Sequence, residues 1–165
     1  MTFASDIPVG HTPQGGWKGE MPPPILAGCN EPIAPGLPDF RGVWRAIAVE
    51  VDGKPVDDLR HVERIEQAGD RVVITAGGVV HDMRADGTLA NGVNDVAADR
   101  SQPISVAATF ESGALVLRPN NSFVAVTRHL EADAEGDVLV WNLLPFKKVT
   151  RMRRASLPEP TVEHG

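Results

Sequence analysis

The chain has 165 residues, the length of one domain and enough to bury a real core. Its net charge is −6 with acids and bases interleaved, which argues against nucleic acid or an anionic membrane surface as partner. A single cysteine, Cys29, excludes an internal disulfide and fits a reducing, cytoplasmic compartment, and no apolar run is long enough to span a bilayer as a helix.

Residues 1–38 form a first part with its own composition. They hold 8 of the 14 prolines and 6 of the 16 glycines, and they show no apolar period. Proline removes backbone donors and glycine adds entropy, so neither a long strand nor a long helix is expected here. Two readings stand side by side: a mobile tail, or an extended arm anchored by Trp17, Ile25 and Leu26 on a barrel or a neighbour. Within this part Leu26-Ala27-Gly28-Cys29 matches a bacterial lipid-attachment signal. Met21-Pro22-Pro23-Pro24 stands where the apolar run should precede it, so a chance match is expected.

From residue 39 to 156 the chain reads as one short strand after another, with turns every 8–12 residues. Strands are expected at 41–51, 61–67, 71–76, 79–85, 89–96, 104–110, 115–118, 123–130, 138–144 and 147–154. The stretch 89–96 is weakened by Gly92. Turn chemistry separates them: Asp52-Gly53, Ala68-Gly69-Asp70, Gly77-Gly78, Asp86-Gly87, Ser112-Gly113, Asn120-Asn121 and the acidic run 131–137. Residues 55–60 allow one helical turn at most. Short loops favour neighbour-to-neighbour pairing, so the fold expected is an all-β, up-and-down antiparallel barrel of about eight to ten strands. Residues 157–165 read as a tail.

Alternation assigns faces. Val126, Arg128 and Leu130 share one face of their strand, with His129 on the other. In the last strand Val149, Arg151 and Arg153 share a face opposite Thr150, Met152 and Arg154. In the first, Trp44 lies with Gly42, Ala46 and Ala48. His81 lies with Val79 and Met83, which points it inward. A strand apolar on both faces needs an outer cover, and the arm or a second subunit would supply it.

Three motifs in order resemble the calycin superfamily, and within it the intracellular fatty-acid-binding proteins and bacterial lipocalin-like domains. They are Phe40-x-Gly42-x-Trp44-Arg45, then Val126-Thr127-Arg128-His129-Leu130 with its acidic turn and Val138-Leu139-Val140, and finally Val149-Thr150-Arg151-x-Arg153-Arg154. The resemblance covers about residues 40–155. It implies that Arg128 and Arg151 point inward and hold a ligand carboxylate, and that an arginine of the closing strand, Arg153, stacks on Trp44 at the barrel floor. The family's tyrosine falls on Arg153, and this chain has no tyrosine. The family's helical lid is absent or reduced to 56–60, which leaves the arm as lid or the mouth open.

The expected function is therefore binding of a small, mostly apolar molecule with an acidic group inside the barrel. Arg128, Arg151, Arg153, Val126 and Leu130 are the candidate ligand contacts. A buried guanidinium must meet an acid, a carbonyl or an anionic ligand, and Glu63, Asp82 and Asp95 are the acids within the strands that could pair with it. A second class of reading is a barrel enzyme, an isomerase, cyclase or decarboxylase acting on an apolar acid, with His81 or Asp82 moving the proton. A third is a haem or cofactor carrier with His81 as ligand. No His-x-His, His-x-x-x-His or Cys-x-x-Cys-His spacing occurs, so no metal is expected, and no cofactor is assigned. His61 and His129 complete the set of strand histidines.

Overall fold

The computed structural model describes residues 2–13, 15–17, 21–97 and 102–156. Apart from a short 3-10 turn at Ala4–Asp6, its regular structure is all β. The strands are β1 (Gly42–Val51), β2 (Lys54–Val56), β3 (Val62–Ala68), β4 (Arg71–Ala76), β5 (Val79–Arg84), β6 (Val93–Val96), β7 (Pro103–Glu111), β8 (Ala114–Pro119), β9 (Ala125–Asp133), β10 (Gly136–Leu144) and β11 (Lys148–Ser156). Their hydrogen-bonded order is β5-β4-β3-β1-β11-β10-β9-β8-β7-β6, every ladder antiparallel, with β2 paired to β1. This is a nearly closed up-and-down barrel, as the turn spacing predicts, and it is compatible with a calycin-like fold.

Two of the expected boundaries are corrected. The helical turn allowed at 55–60 is absent: Lys54–Val56 folds back on β1 as an added strand. The weak strand at 89–96 shrinks to Val93–Val96, because Gly92 lies against the β7 backbone. A Cβ on Gly92 would stand 1.8 Å from the Val106 carbonyl oxygen, so this close approach requires glycine. The tail expected at 157–165 lies outside the described residues.

The first and last strands pair, β1 with β11, and this joins the two ends of the barrel. The join carries a bulge. Ala46 is opposite Met152 and Ala48 is opposite Arg151, so Ile47 is the extra residue. The bulge shifts the inward phase of β1, which breaks the single face expected for Gly42, Trp44, Ala46 and Ala48. Trp44 and Ala46 are in the core before it, and buried Val49, opposite Thr150, follows after it.

The remaining seam lies between β5 and β6, which are joined by side chains and loops. The His81 ring Nε2 meets the Val96 carbonyl at 2.9 Å, and the Arg84 N–H donates to Asn91 O at 2.7 Å. Thr12 of the arm bridges the same seam. Its hydroxyl bonds Val80 and its N–H donates to Asp95 Oδ2.

Inside the barrel, Phe40, Trp44, Ile65, Val72, Ile74, Met83, Leu115, Leu139 and Met152 form the main core. Fully burying one such side chain contributes about 1.5–3 kcal/mol. Trp44 is fixed by donating its indole N–H to Phe40 O at 2.8 Å, and the Arg154 guanidinium lies over its ring at 4.4 Å.

The arm packs across the outer face of β3–β5, where Ala4, Leu26 and Cys29 meet Ala68, Val73 and Val80. Of the anchors expected for it, Ile25 and Leu26 pack here. Trp17 stays partly exposed and is tied by its N–H to Gly78 O. An arm without its own ladder leaves its backbone groups to be satisfied by strand side chains. Glu66 accepts the N–H groups of Ile25 and Leu26, Arg64 donates to Pro22 O, and Gln67 accepts from Phe40 N and donates to Pro38 O. The described part of the arm is thus a cover for one outer face.

Candidate functional site

The site grows out of two inward positions on strands that are not neighbours, and a half-exposed histidine at the start of one of them. On β3, Glu63 follows the same alternation as Ile65 and points into the lumen; it is 0% exposed. On β9, Arg128 lies between inward Val126 and Leu130, as its sequence pattern predicts, and is 6% exposed. Three strands, β1, β11 and β10, separate β3 from β9 in the sheet order. The pair therefore meets across the lumen. Arg128 Nε donates to Glu63 Oε2 at 2.8 Å and Nη2 donates to Oε1 at 3.1 Å. This is the two-bond fork expected of a guanidinium, filled by the protein's own carboxylate.

The third member is His61, just before β3, with its side chain 45% exposed. Its Nε2 lies 2.8 Å from Glu63 Oε1, and its carbonyl accepts the Ala46 N–H, which fixes the backbone. Burial alone would push the Glu63 carboxyl up. The Arg128 charge and the hydrogen bonds from His61 and Arg128 outweigh it and hold the group at about 2. Glu63 is therefore an ion at neutral pH and can only accept. The His61 nitrogen facing it must carry a proton, and in the neutral ring Nδ1 then keeps its lone pair.

Arg128 is not fully satisfied. Its Nη1 is buried and, among the described residues, finds no hydrogen-bond partner. A buried, unpaired charged donor costs several kcal/mol, so this atom is the site's unspent binding group. The atom has almost no accessible surface, so an acceptor reaches it only when neighbouring side chains move. Several inward neighbours are only partly buried: Ile104, Phe110, Val126, Leu130 and Trp141. His81 also faces inward, as expected from its alternation. Burial lowers its tendency to hold a proton, the Val96 carbonyl and Asp95 oppose that, and Arg128 adds to it.

The other expected contacts are corrected. Arg151 and Arg153 lie on the outer face of β11. Arg151 Nη1 pairs with Glu50 Oε1 at 2.9 Å and Arg153 Nη2 with Asp133 Oδ2 at 2.7 Å. The inward residues of β11 are Met152, buried Thr150 and Arg154, and it is Arg154, not Arg153, that stacks on Trp44. A one-residue slip in strand phase exchanges every side chain between faces. The closing strand has basic residues on both faces, so its pattern alone did not fix the phase. Asp82 is also outside the lumen: it is buried beneath the arm and bonded to Arg71 and to the Gly10 N–H. Asp95 accepts from Thr12, and His129 pairs with Glu131 on the outer face.

Sequence reading named Glu63 only as one of three acids and gave His61 no partner. The available signal was their spacing: residues two apart on a strand share a face. No alternation could show that β3 and β9 meet across a lumen.

Two clefts flank the arm. One, of about 660 Å³, lies between residues 4–11 and β5–β6, with Arg71, Asp82, Met83 and Val93 in its wall. The other, of about 220 Å³, lies between Pro24–Pro32 and β1–β3. At one rim of the barrel stand Phe123, 81% exposed, and Phe146, their ring centroids 6.3 Å apart, with exposed Val51 and Leu144 beside them. Among the described residues no group of three or more His, Cys, Asp or Glu could hold a metal ion, and no helix is long and apolar enough to cross a membrane. Comparison with known proteins finds no matching family model, no matching curated protein and no matching solved structure.

Proposed function

We propose that the barrel, of calycin type, binds a small and mostly apolar molecule in its lumen through an acceptor oxygen placed on Arg128 Nη1. The observation that carries this reading is the buried Nη1 without a partner among the described residues, in a lumen walled mainly by apolar side chains. The walls supply most of the affinity and the single donor orients the molecule. The acidic group expected from the motifs is narrowed by the Glu63 contact. Glu63 already fills the two-bond edge of Arg128 and neutralises its charge, so a ligand carboxylate would face the Glu63 carboxylate. A carbonyl, phenol or enol oxygen needs only the one remaining N–H and meets no such repulsion.

Native mass spectrometry of freshly purified protein, followed by identification of any released molecule, tests the reading. An apolar compound with a carbonyl or weakly acidic hydroxyl is expected at one per chain. A second arm uses the paired variant Glu63→Leu with Arg128→Met, which removes the ion pair without stranding a charge. A molecule that binds this variant as tightly as the natural chain would remove Arg128 from the site.

A further inference from the structure

We infer that the lumen cluster is a proton-transfer site, with His61 as general base and Arg128 Nη1 as the donor that stabilises a developing oxyanion. The inference rests on the reading above, that an apolar carbonyl compound occupies the lumen. Three observations converge. Glu63 is ionised and fully buried, and it bonds both His61 and Arg128 through one carboxylate, so base and oxyanion donor are held by the same anchor. The His61 Nε2 faces that carboxylate, so in the neutral ring the proton sits on Nε2 and Nδ1 keeps its lone pair on a half-exposed side chain. Arg128 Nη1 has no partner among the described residues, so an oxygen that reaches it once neighbouring apolar side chains move meets an unused donor for the charge that develops during reaction.

A structural ion pair alone accounts for neither the histidine on the carboxylate nor the open donor. The sequence singled out His81 for this role, but its Nε2 is bound to the Val96 carbonyl in the β5–β6 seam, whereas the His61 Nε2 sits on the same carboxylate that holds Arg128. Glu63 is the positioning residue. His61 and Arg128 are the catalytic residues, since they alone would touch the reacting atoms.

The reaction class is proton abstraction next to a carbonyl. His61 Nδ1 takes a proton from the α-carbon. The C–H electron pair forms the C=C bond of an enolate, and the carbonyl π pair moves to oxygen, where Arg128 Nη1–H receives it. His61 then returns the proton to the α-carbon or, in an unsaturated substrate, to the γ-carbon, which shifts the double bond. Atoms and electrons balance without oxidant, reductant or cofactor. The substrate class is an apolar ketone with acidic α-hydrogens.

The test incubates the full chain with 2-tetralone in deuterium oxide and follows loss of the α-proton signals by NMR. Binding of the same ketone is read separately from tryptophan fluorescence. The expected result is exchange faster than in buffer alone. In His61→Gln, whose amide N–H can still reach Glu63, exchange should fall about 100-fold or more with binding retained. His61→Asn serves as a second variant, and melting curves establish that each is folded. Binding without exchange above buffer would overturn the proton-transfer inference and leave the binding reading intact. Exchange unchanged in both folded variants would remove His61. Failure of the ketone to bind would overturn the carbonyl reading, and the inference would fall with it.

Discussion

Two buried arginine–carboxylate pairs can be compared directly in this molecule, one beneath the arm and one inside the barrel. Arg71 meets Asp82 through Nε at 2.9 Å and Nη2 at 2.7 Å, and its remaining donors go to the carbonyls of Ala4, Ile7 and Pro8. Every nitrogen of Arg71 is bonded. Arg128 forms the same fork with Glu63, yet its Nη1 has no partner among the described residues and its carboxylate is shared with a half-exposed histidine. Similar chemistry and similar burial thus serve different ends. The saturated pair is a clamp that ties chain to chain, and the unsaturated pair keeps a group in reserve. The difference lies in what surrounds each pair: a backbone rich in carbonyls around Arg71, and an apolar lumen around Arg128.

The largest effect should come from breaking the clamp. Arg71→Met strands the Asp82 charge and three arm carbonyls. It should cost about 3–5 kcal/mol in urea unfolding, with residues 2–13 becoming sensitive to protease. Intact stability with a protected arm would show that apolar packing alone holds the arm.

Paired replacement separates the two sites more sharply. Glu63→Leu with Arg128→Met removes a charge pair and its unpaired donor from apolar surroundings, and it should leave stability unchanged or raise it by about 1–4 kcal/mol. Asp82→Leu with Arg71→Met still leaves the Ala4, Ile7 and Pro8 carbonyls unbonded, at about 1–3 kcal/mol for each one that water cannot reach. Equal losses in the two paired variants would erase the distinction drawn here.

The two regions should also respond to pH with opposite sign. Glu63 is held at about 2, below its ordinary value of 4.5. A depressed carboxylate contributes stability that is present above the unfolded value and is lost as pH falls from about 4.5 toward 2. Glu66, under the arm, is shifted the other way. Burial raises it, and the bonds from Leu26 and Ile25 and the Arg64 charge only partly oppose that. A raised carboxylate gives stability that is present below its unfolded value and lost as pH rises through its folded value. Glu66→Gln gives up one of the two acceptors for the Ile25 and Leu26 N–H groups but also the buried charge, so its melting temperature should compare more favourably with the natural chain at pH 8 than in acid. The Glu63→Leu, Arg128→Met pair should flatten the acid limb of the stability curve. A melting profile of either variant parallel to the natural one across pH 3–8 would contradict the corresponding assignment.

The smallest effects belong to the outer arginines. Arg151→Ala and Arg153→Ala each remove a partly exposed pair, so each should cost less than about 1 kcal/mol and leave lumen binding unchanged by fluorescence titration. A large loss of binding in Arg151→Ala would return that residue to the site.

Local chemistry accounts for much of what was legible in the chain. Strand positions followed from short apolar runs bounded by Gly, Asn and Asp, because those residues relieve backbone strain at turns whatever lies around them. Arg128 was readable as inward because Val126 and Leu130 flank it at the strand period. The closing strand failed this test. Arg151 and Arg153 alternate with Thr150, Met152 and Arg154, and neither set is apolar enough to mark the core side. The Ile47 bulge was hidden too, because it inserts a residue into an otherwise regular alternation.

The sequence by itself thus determined the class of fold, the order of its strands and the separate character of residues 1–38. These follow from backbone preferences and side-chain period, which act over a few residues. Only the tertiary structure decided that Glu63 meets Arg128 across the lumen, that His61 shares that carboxylate, and that Asp82 belongs to a clamp under the arm. Each of these contacts joins residues far apart in the chain, and each depends on closure of the barrel and on the course of the arm, which no local pattern encodes.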